Sequence, residues 1–380
     1  MSSAPPISIL VISYKFGPYL RQCLDSLLNQ TLRPSQIVVA DDCSPDDSWQ
    51  IIQEYVQRYP DIVEAHQPER NIGPKEIGAF ARQFPNRELF AWIDGDDYWH
   101  PEKLQREWEA MQATGARVAY SNTATVDENG TILGYFHNPT LPSMPTGDVF
   151  MPVLMRKLFS NTGNMFRNHL TYLEDLKRIH YMPDLSMDSG WDYEEKLMLA
   201  GHLTFAATDP SKPMVFYRRH SSSFSQSTAG DTKHVKAELR VLEKHRDLLG
   251  KRSPLEQEMG ELYIDMTTGA NRQHLPPEKQ PRYEPAKLYE LHKQRVQQSS
   301  NPEIQQLWQQ GAEFFRMLKL HDIKEKLIAK QDEQALLAYI KHLPEDPQLL
   351  EAIFCLTPEI FGRLQQAFRS NMAKIQQQQS

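Results

Sequence analysis

Short apolar runs alternate with helical stripes over the first 120 residues of this 380-residue chain, and this pattern limits the folds open to it. Ile7–Ser13 is a continuous β-branched run, typical of a strand buried on both faces. Similar runs at 37–40, 62–65, 89–93 and 118–121 predict four more strands, and helices are predicted between them. Strands joined by helices pair in parallel, so the fold class is α/β. We expect a mostly parallel central sheet, with helices on both faces and ligands bound beyond the carboxyl ends of its strands.

The rest of the chain divides into a mixed part and a helical part. Residues 125–133 predict a hairpin that turns at Asn129-Gly130. A helix is predicted at 190–200, followed by short strands at 204–206 and 214–217. Beyond about residue 230 the sequence is charged, glutamine-rich and broken by prolines, which favours a set of helices. The expected domains are therefore an α/β domain over 1–225, an all-α C-terminal domain over 226–374 and a disordered tail over 375–380.

Composition excludes several classes of protein. The formal charge of −7 and the pI near 6.0 argue against nucleic acid as a partner, because nucleic acid favours a basic surface. No apolar stretch is long enough to span a bilayer, and the first residues lack the pattern of a signal peptide. The three cysteines form no metal or redox motif. These features predict a soluble cytoplasmic protein.

Acidic residues follow two of the predicted strands. The strand at 89–93 runs into Asp94-Gly95-Asp96-Asp97, and the strand at 37–40 runs into Asp41-Asp42. One such cluster fits either an acidic turn before a helix or a site for a hard divalent cation such as Mg²⁺ or Mn²⁺. Two clusters on neighbouring strand ends meet at one edge of a parallel sheet, which favours a site for a polar ligand, a cation, or both.

The order of these motifs resembles that of the inverting family 2 glycosyltransferases, which have the GT-A fold. The motifs are Ser13-Tyr14, the segment 41–48, Asn71-Ile72-Gly73, the acids at 94–97 followed by Pro101, the segment 191–201, and Tyr217-Arg218-Arg219-His220. The resemblance covers about residues 5–225. It implies transfer of a sugar from a nucleoside diphosphate donor with inversion at the sugar carbon.

The resemblance also implies donor-binding roles. Tyr14 would stack on a uracil or thymine base, or be an ordinary strand-end aromatic, and Asp42 would accept a hydrogen bond from the imide N–H of that base. Asp94 and Asp96 would also belong to the donor site, with Asp94 on ribose or sugar hydroxyls. Asp96 and Asp97 would hold the metal, with Asp97 as the direct ligand. The metal would bridge the diphosphate and stabilise its charge as the glycosidic bond breaks.

Two further residues are less well defined by the sequence. His220 would complete the metal shell, hold a phosphate, or be structural. Asp192 would be the catalytic base that takes the proton of the acceptor hydroxyl. The residue before it is Trp191 where the family has Glu; an apolar wall there would raise the pKa of the base. The other candidate bases are Asp188, Glu194 and Glu195.

We therefore expect a metal-dependent glycosyltransferase that acts on a glycan or a lipid-linked acceptor in bacterial surface polysaccharide synthesis. Residues 314–330 mix apolar and basic residues, which fits peripheral contact with the inner face of a membrane or a core-facing helix with a basic side. The helical region is also a candidate for homo-oligomer contacts. Two alternatives stay open: a sugar nucleotidyltransferase, and a non-catalytic module that binds nucleotide sugars or glycans.

Overall fold

A computed structural model describes residues 5–137, 139–140, 143–154, 167–179 and 191–220, with further short stretches between 240 and 264. Its strands are β1 Ile7–Ser13, β2 Gln36–Asp41, β3 Val63–His66, β4 Leu89–Asp94, β5 Tyr98–Trp99, β6 Val118–Tyr120, β7 Thr123–Val126, β8 Ile132–Tyr135, β9 Leu170–Tyr172, β10 Phe205–Ala207 and β11 Val215–Arg218. Its helices are α1 Gly17–Leu28, α2 Ser48–Arg58, α3 Pro74–Ala81, α4 Lys103–Thr114, α5 Phe150–Leu154, α6 Leu173–Arg178 and α7 Trp191–His202, followed by a 3₁₀ helix at Arg246–Lys251.

The central sheet has seven strands in the order β10-β6-β9-β4-β1-β2-β3. The pairs β1–β2, β1–β4, β2–β3 and β6–β10 are parallel, as the alternation of strands and helices predicts. The exception is β9, which runs antiparallel between β4 and β6. The prediction of a mostly parallel sheet is confirmed, and β9 is an element that it lacked.

Helices cover both faces of this sheet because side chains of successive strand residues point to opposite sides. In β4, Leu89, Ala91 and Ile93 pack with α1, α2 and α4 on one face. Phe90 packs on the other face with α3, α5, α6 and α7. Both clusters are almost free of solvent, which explains why the strand sequences are apolar throughout.

A smaller four-stranded sheet lies beside the acidic segment, in the order β5-β11-β7-β8. The predicted hairpin forms as the antiparallel pair β7–β8, with Gly130 in the left-handed region at φ 86°. Strand β5 follows the acids at once and pairs with β11. This sheet brings the end of β11 next to the acidic segment.

Residues 265–380 lie outside the described part of the chain, so the predicted all-α domain and glutamine-rich tail stay predictions. Within the described ranges, no helix combines the length and the apolar character needed to cross a bilayer.

Candidate functional site

The acidic segments meet at one edge of the central sheet. In the register of the parallel strands, Ser13 at the end of β1 lies opposite Asp41 of β2, and Ile12 lies opposite Asp94 of β4. The carboxyl ends of β2 and β4 therefore flank the carboxyl end of β1. The predicted convergence of the two acidic clusters on one strand edge is confirmed.

Asp94, Asp96 and Asp97, which we call the acidic cluster, place carboxylate oxygens within 4.8 Å of one another. Asp97 is 1 % exposed and Asp96 is 7 % exposed, whereas Asp94 is partly open to solvent. Burial, with the neighbouring charges of Asp96 and Asp94, raises the pKa of Asp97 well above its ordinary value, although Arg167 opposes that shift. Such a group favours a bound cation, because a cation offsets the cost of keeping the carboxylate ionised.

Gly95 allows the sharp turn within this cluster. Its N–H donates to the carbonyl of Ile12 at 2.8 Å, which ties the segment to the end of β1. A Cβ atom at this position would lie 3.1 Å from Leu20, 3.2 Å from Phe16 and 3.3 Å from that carbonyl oxygen. The close approach of the backbone to α1 therefore explains the glycine between the acids.

Arg167 contacts the cluster from the segment before β9. Its guanidinium donates to Asp94 and, at 3.1 and 3.3 Å, to Oδ2 of Asp97. The antiparallel direction of β9 explains this position, because β9 pairs with the first half of β4 and the residues before β9 therefore lie beside the end of β4. Asn168 anchors the segment by donating to the carbonyl of Trp92 at 2.7 Å. Sequence reasoning missed Arg167, since no local motif marks it and its partners lie about 70 positions earlier.

The end of β11 encloses the cluster from the smaller sheet. The backbone N–H of Arg218 donates to Oδ1 of Asp97 at 2.9 Å, and its side chain donates to the carbonyls of Asp96 and Glu128. Arg218 is buried, so its guanidinium stabilises the turn rather than facing solvent. His220 places Nε2 at 3.0 Å from Oδ2 of Asp96 and is likewise buried. His220 therefore lies beside the acidic cluster, as the predicted metal role requires. Its role as a metal ligand stays a prediction.

The second acidic segment is held by the loop after β3. Asp42 accepts from the backbone N–H of Ile72 at 2.7 Å and of Gly73 at 2.8 Å, and from the Asn71 amide at 3.1 Å. Burial raises the pKa of Asp42, and these two backbone hydrogen bonds oppose the shift. Asp41 instead accepts from Ser44 within its own turn and from the amide of Gln67, which follows β3. The contact of Asp42 with a base stays a prediction; in the structure it first positions the 71–73 loop.

Tyr14 stands at the open side of this edge, immediately after β1. Its side chain is 37 % exposed, and among the described residues no other large apolar side chain is exposed in this way. The next residue, Lys15, has φ 59°, and its N–H donates to Ser44 in the loop after β2 at 2.9 Å. The turn that presents Tyr14 is therefore fixed by the acidic segment beside it.

Helix α7 begins at the same edge. Thr204, just after this helix, accepts from the backbone of Arg117 and Val118 where β6 begins, so the helix ends at the opposite edge. Its first turn, with Trp191 and Asp192, therefore faces back toward the strand ends. The side chains of these two residues lie outside the described part, as does Asp188, and the assignment of Asp192 as base stays a prediction.

The other candidate residues have structural partners. Glu194 pairs with Lys244 and His245, each at 2.7 Å, and Glu195 pairs with Arg82. Both glutamates are buried in these ion pairs, which disfavours either as the base. Trp99, which follows the acids, is 2 % exposed and packs in the core.

Comparisons with known proteins agree with this arrangement. Residues 8–175 match the model of glycosyl transferase family 2. An uncharacterized glycosyltransferase of Nostoc sp. strain PCC 7120 is 31% identical over 125 residues, which are 32% of this chain and 38% of that protein. The poly(ribitol-phosphate) beta-glucosyltransferase of Bacillus spizizenii is 23% identical over 243 residues, which are 60% of this chain and 38% of that protein. This chain thus matches about two fifths of the length of each of these two relatives.

Among solved structures, the crystal structure of residues 1–349 of S. aureus TarS in complex with UDP-GlcNAc superposes with a TM-score of 0.53. The match covers 89% of each chain at 16% sequence identity, and it supports the GT-A-like fold. The predicted resemblance is confirmed for this part of the chain: residues 8–175 match a glycosyl transferase family 2 domain.

Proposed function

We propose that this protein is a metal-dependent inverting glycosyltransferase that moves a sugar from a nucleoside diphosphate donor, UDP-linked, to a hydroxyl of a glycan. The observation that carries this proposal is the acidic cluster at the carboxyl edge of the sheet, with Asp97 buried in it. The family match and the solved complex of TarS with UDP-GlcNAc support the donor class.

The acidic cluster fits a hard divalent cation. Its oxygens lie within 4.8 Å of one another, and Mn²⁺ and Mg²⁺ prefer carboxylate oxygens and waters at about 2.0–2.2 Å. Asp96 and Asp97 would hold the ion, with His220 beside Asp96 as a further ligand. When bound, the cation would stabilise the negative charge that develops on the leaving diphosphate.

Two other residues would bind the rest of the donor. Tyr14, exposed at the end of β1, would stack on the base, and Asp42 would accept from the base imide. Asp94 is the partly exposed member of the cluster and would bind ribose or sugar hydroxyls. The donor would then lie along the strand edge from β2 to β4.

Asp192 would take the proton of the acceptor hydroxyl during displacement. Inversion requires a carboxylate on the side of the sugar opposite the leaving group. The first turn of α7 supports this role, because it lies at the same edge of the sheet as the acidic cluster.

The acceptor would be a glycan or a lipid-linked oligosaccharide in bacterial surface polysaccharide synthesis. The name of the B. spizizenii relative, a poly(ribitol-phosphate) beta-glucosyltransferase, supports this class. An acceptor at the inner face of the membrane would need peripheral contact, and the residues after 230 are the candidates for that contact and for a homo-oligomer. No role for nucleic acid is proposed.

The proposal is tested by screening UDP-, GDP- and dTDP-sugars for binding and hydrolysis with and without Mn²⁺. We expect Asp97→Asn to weaken Mn²⁺-dependent donor binding at least about tenfold, because it removes a buried charged ligand. Asp192→Asn should retain donor binding and reduce transfer by about 10²–10⁴-fold, the range for loss of a general base.

Asp61→Asn is the matched control, because Asp61 is exposed and precedes β3 at the opposite edge of the sheet. It should behave as the wild type. Failure of every sugar nucleotide to bind would refute the proposal. If the protein binds the donor without turnover, and Asp192→Asn changes nothing, the non-catalytic module is favoured. Synthesis of a sugar nucleotide from a nucleoside triphosphate would favour the nucleotidyltransferase.

A further inference from the structure

Donors from the protein itself already occupy the carboxylates of the acidic cluster. Oδ1 of Asp97 accepts from the backbone N–H of Arg218 at 2.9 Å, and Oδ2 accepts from Arg167 at 3.1 and 3.3 Å. Arg167 also binds Asp94, and His220 lies 3.0 Å from Asp96. The two N–H groups of Arg167 use both lone pairs of Oδ2, so a cation that takes this oxygen of Asp97 as a direct ligand must displace Arg167.

The two donors to Asp97 differ in how firmly they are held. The backbone of Arg218 is fixed by pairing with Val126 of β7, and its guanidinium is held by the carbonyls of Asp96 and Glu128. The guanidinium of Arg167 donates, among the described residues, to Asp94 and Asp97 alone, and it lies 4.3 Å from the ring of Tyr217. Arg167 is thus the donor that can leave without breaking the backbone of the sheet.

The charges at the site also favour the departure of Arg167 when a cation binds. The acidic cluster carries three formal negative charges, and Arg167 supplies one positive charge within hydrogen-bond distance of two of them. A divalent cation at this site would repel Arg167 while it takes over the carboxylates. A guanidinium released beside a diphosphate has several N–H donors in the planar arrangement that suits phosphate oxygens.

We propose that Arg167 exchanges partners when the donor complex forms. Before the cation binds, Arg167 holds the side chains of Asp94 and Asp97 in position. When the cation binds, Arg167 gives up Asp97 and donates instead to the diphosphate of the donor. This inference rests on the proposed function and adds Arg167 to the residues that would contact the donor.

The test compares Arg167→Met with wild type by isothermal titration, first with Mn²⁺ alone and then with UDP at saturating Mn²⁺. Loss of the positive charge should tighten the Kd for Mn²⁺ at least about tenfold, since like charges a few ångström apart repel strongly at a partly buried site. The same variant should bind UDP about tenfold more weakly, because a charge-assisted contact with the diphosphate is lost. Arg106→Met, at an exposed arginine of α4, is the matched control and should change neither value.

Arg167→Lys is a second variant that keeps the test possible if Arg167→Met does not fold. A lysine keeps the charge but cannot place two sets of N–H groups on Asp94 and Asp97 at once, so its Kd for Mn²⁺ should shift in the same direction by a smaller factor, about threefold. Thermal unfolding without metal reports whether each variant is folded, and the lysine variant carries the test if the methionine variant is not.

The outcomes separate this inference from the proposed function. A wild type that binds Mn²⁺ and UDP, with a Met variant whose Mn²⁺ affinity is unchanged or weaker, overturns the exchange and leaves the proposed function standing. Unchanged UDP affinity at saturating Mn²⁺ overturns the contact with the diphosphate. A wild type that binds neither Mn²⁺ nor UDP overturns both.

Discussion

The buried ion pair between Lys103 and Glu107 allows a test of what stabilises α4, the helix that packs against β4. Both side chains are 0% exposed, and Nζ lies 2.7 Å from Oε2. Glu107 also accepts from Ser121 at 2.8 Å and from the backbone of Leu170. Burial lowers the pKa of Lys103 and raises the pKa of Glu107, and the attraction between the two charges opposes both shifts.

Removing one member of the pair should lower the free energy of unfolding by more than the intact pair contributes to it. In Lys103→Met, Glu107 loses its cation but stays buried, and removal of one member of a buried pair typically costs about 3–5 kcal/mol. The variant can limit this loss only by protonating Glu107. Its folded state then holds a proton that the unfolded state releases above pH of about 4.5.

The predicted pH dependence follows from that extra proton. The free energy of unfolding of Lys103→Met should fall as pH rises above about 4.5, by up to about 1.4 kcal/mol per pH unit, until Glu107 ionises in the folded state as well. Lys103→Met/Glu107→Gln has no buried charge and should regain at least half of the lost stability, with no such slope. Urea denaturation between pH 5 and pH 8 measures both quantities.

Arg106→Met is the control, because Arg106 forms an exposed i,i+4 pair with Glu102 on the same helix. Its loss should change stability by less than about 0.5 kcal/mol. A loss below about 1 kcal/mol in Lys103→Met, or a flat pH profile, would show that the buried pair is not what holds α4 in place.

Two further perturbations test the site and its surroundings. Gly95→Ala should destabilise the protein by about 1–3 kcal/mol and weaken Mn²⁺-dependent UDP binding, because the added methyl group meets Leu20, Phe16 and a carbonyl of β1. Gly78→Ala, where the added methyl group meets nothing within 4 Å, should be neutral or slightly stabilising in the same denaturation and titration assays. Burial lowers the pKa of His169 to about 4, so the unfolded state binds more protons between about pH 4 and pH 6.5. The free energy of unfolding should therefore fall as pH falls through this range, by up to about 3 kcal/mol, and His169→Gln should flatten that part of the profile. A wild-type free energy of unfolding that is constant over this pH range would contradict the lowered pKa of His169.

The sequence predicts those parts of the fold in which local pattern and tertiary position agree. Strands β1, β2 and β4 are buried on both faces, so their apolar runs are visible without knowledge of their neighbours. The edge where Asp42 and Asp94 meet follows from parallel pairing alone.

The sequence does not predict β9, because three residues give no periodicity that separates a strand from a loop. Arg167 was missed for the same reason, since its position depends on the antiparallel direction of β9. Arg218 is a different case, because an arginine at a strand end is usually solvated, yet here its guanidinium is buried against the carbonyls of Asp96 and Glu128.

The acids and their counter-charges come from different parts of the chain, and this has a consequence for the folding unit. Asp94, Asp96 and Asp97 lie within the segment that matches the family model, but Arg218 and His220 lie beyond its end at residue 175. A chain that ended there would leave Asp97 without the N–H group on its Oδ1 and Asp96 without His220. Like charges packed together without these donors destabilise the turn. The smallest unit able to form the acidic cluster as described therefore extends through β11 to residue 220, although the strands that carry the acids are complete by residue 94.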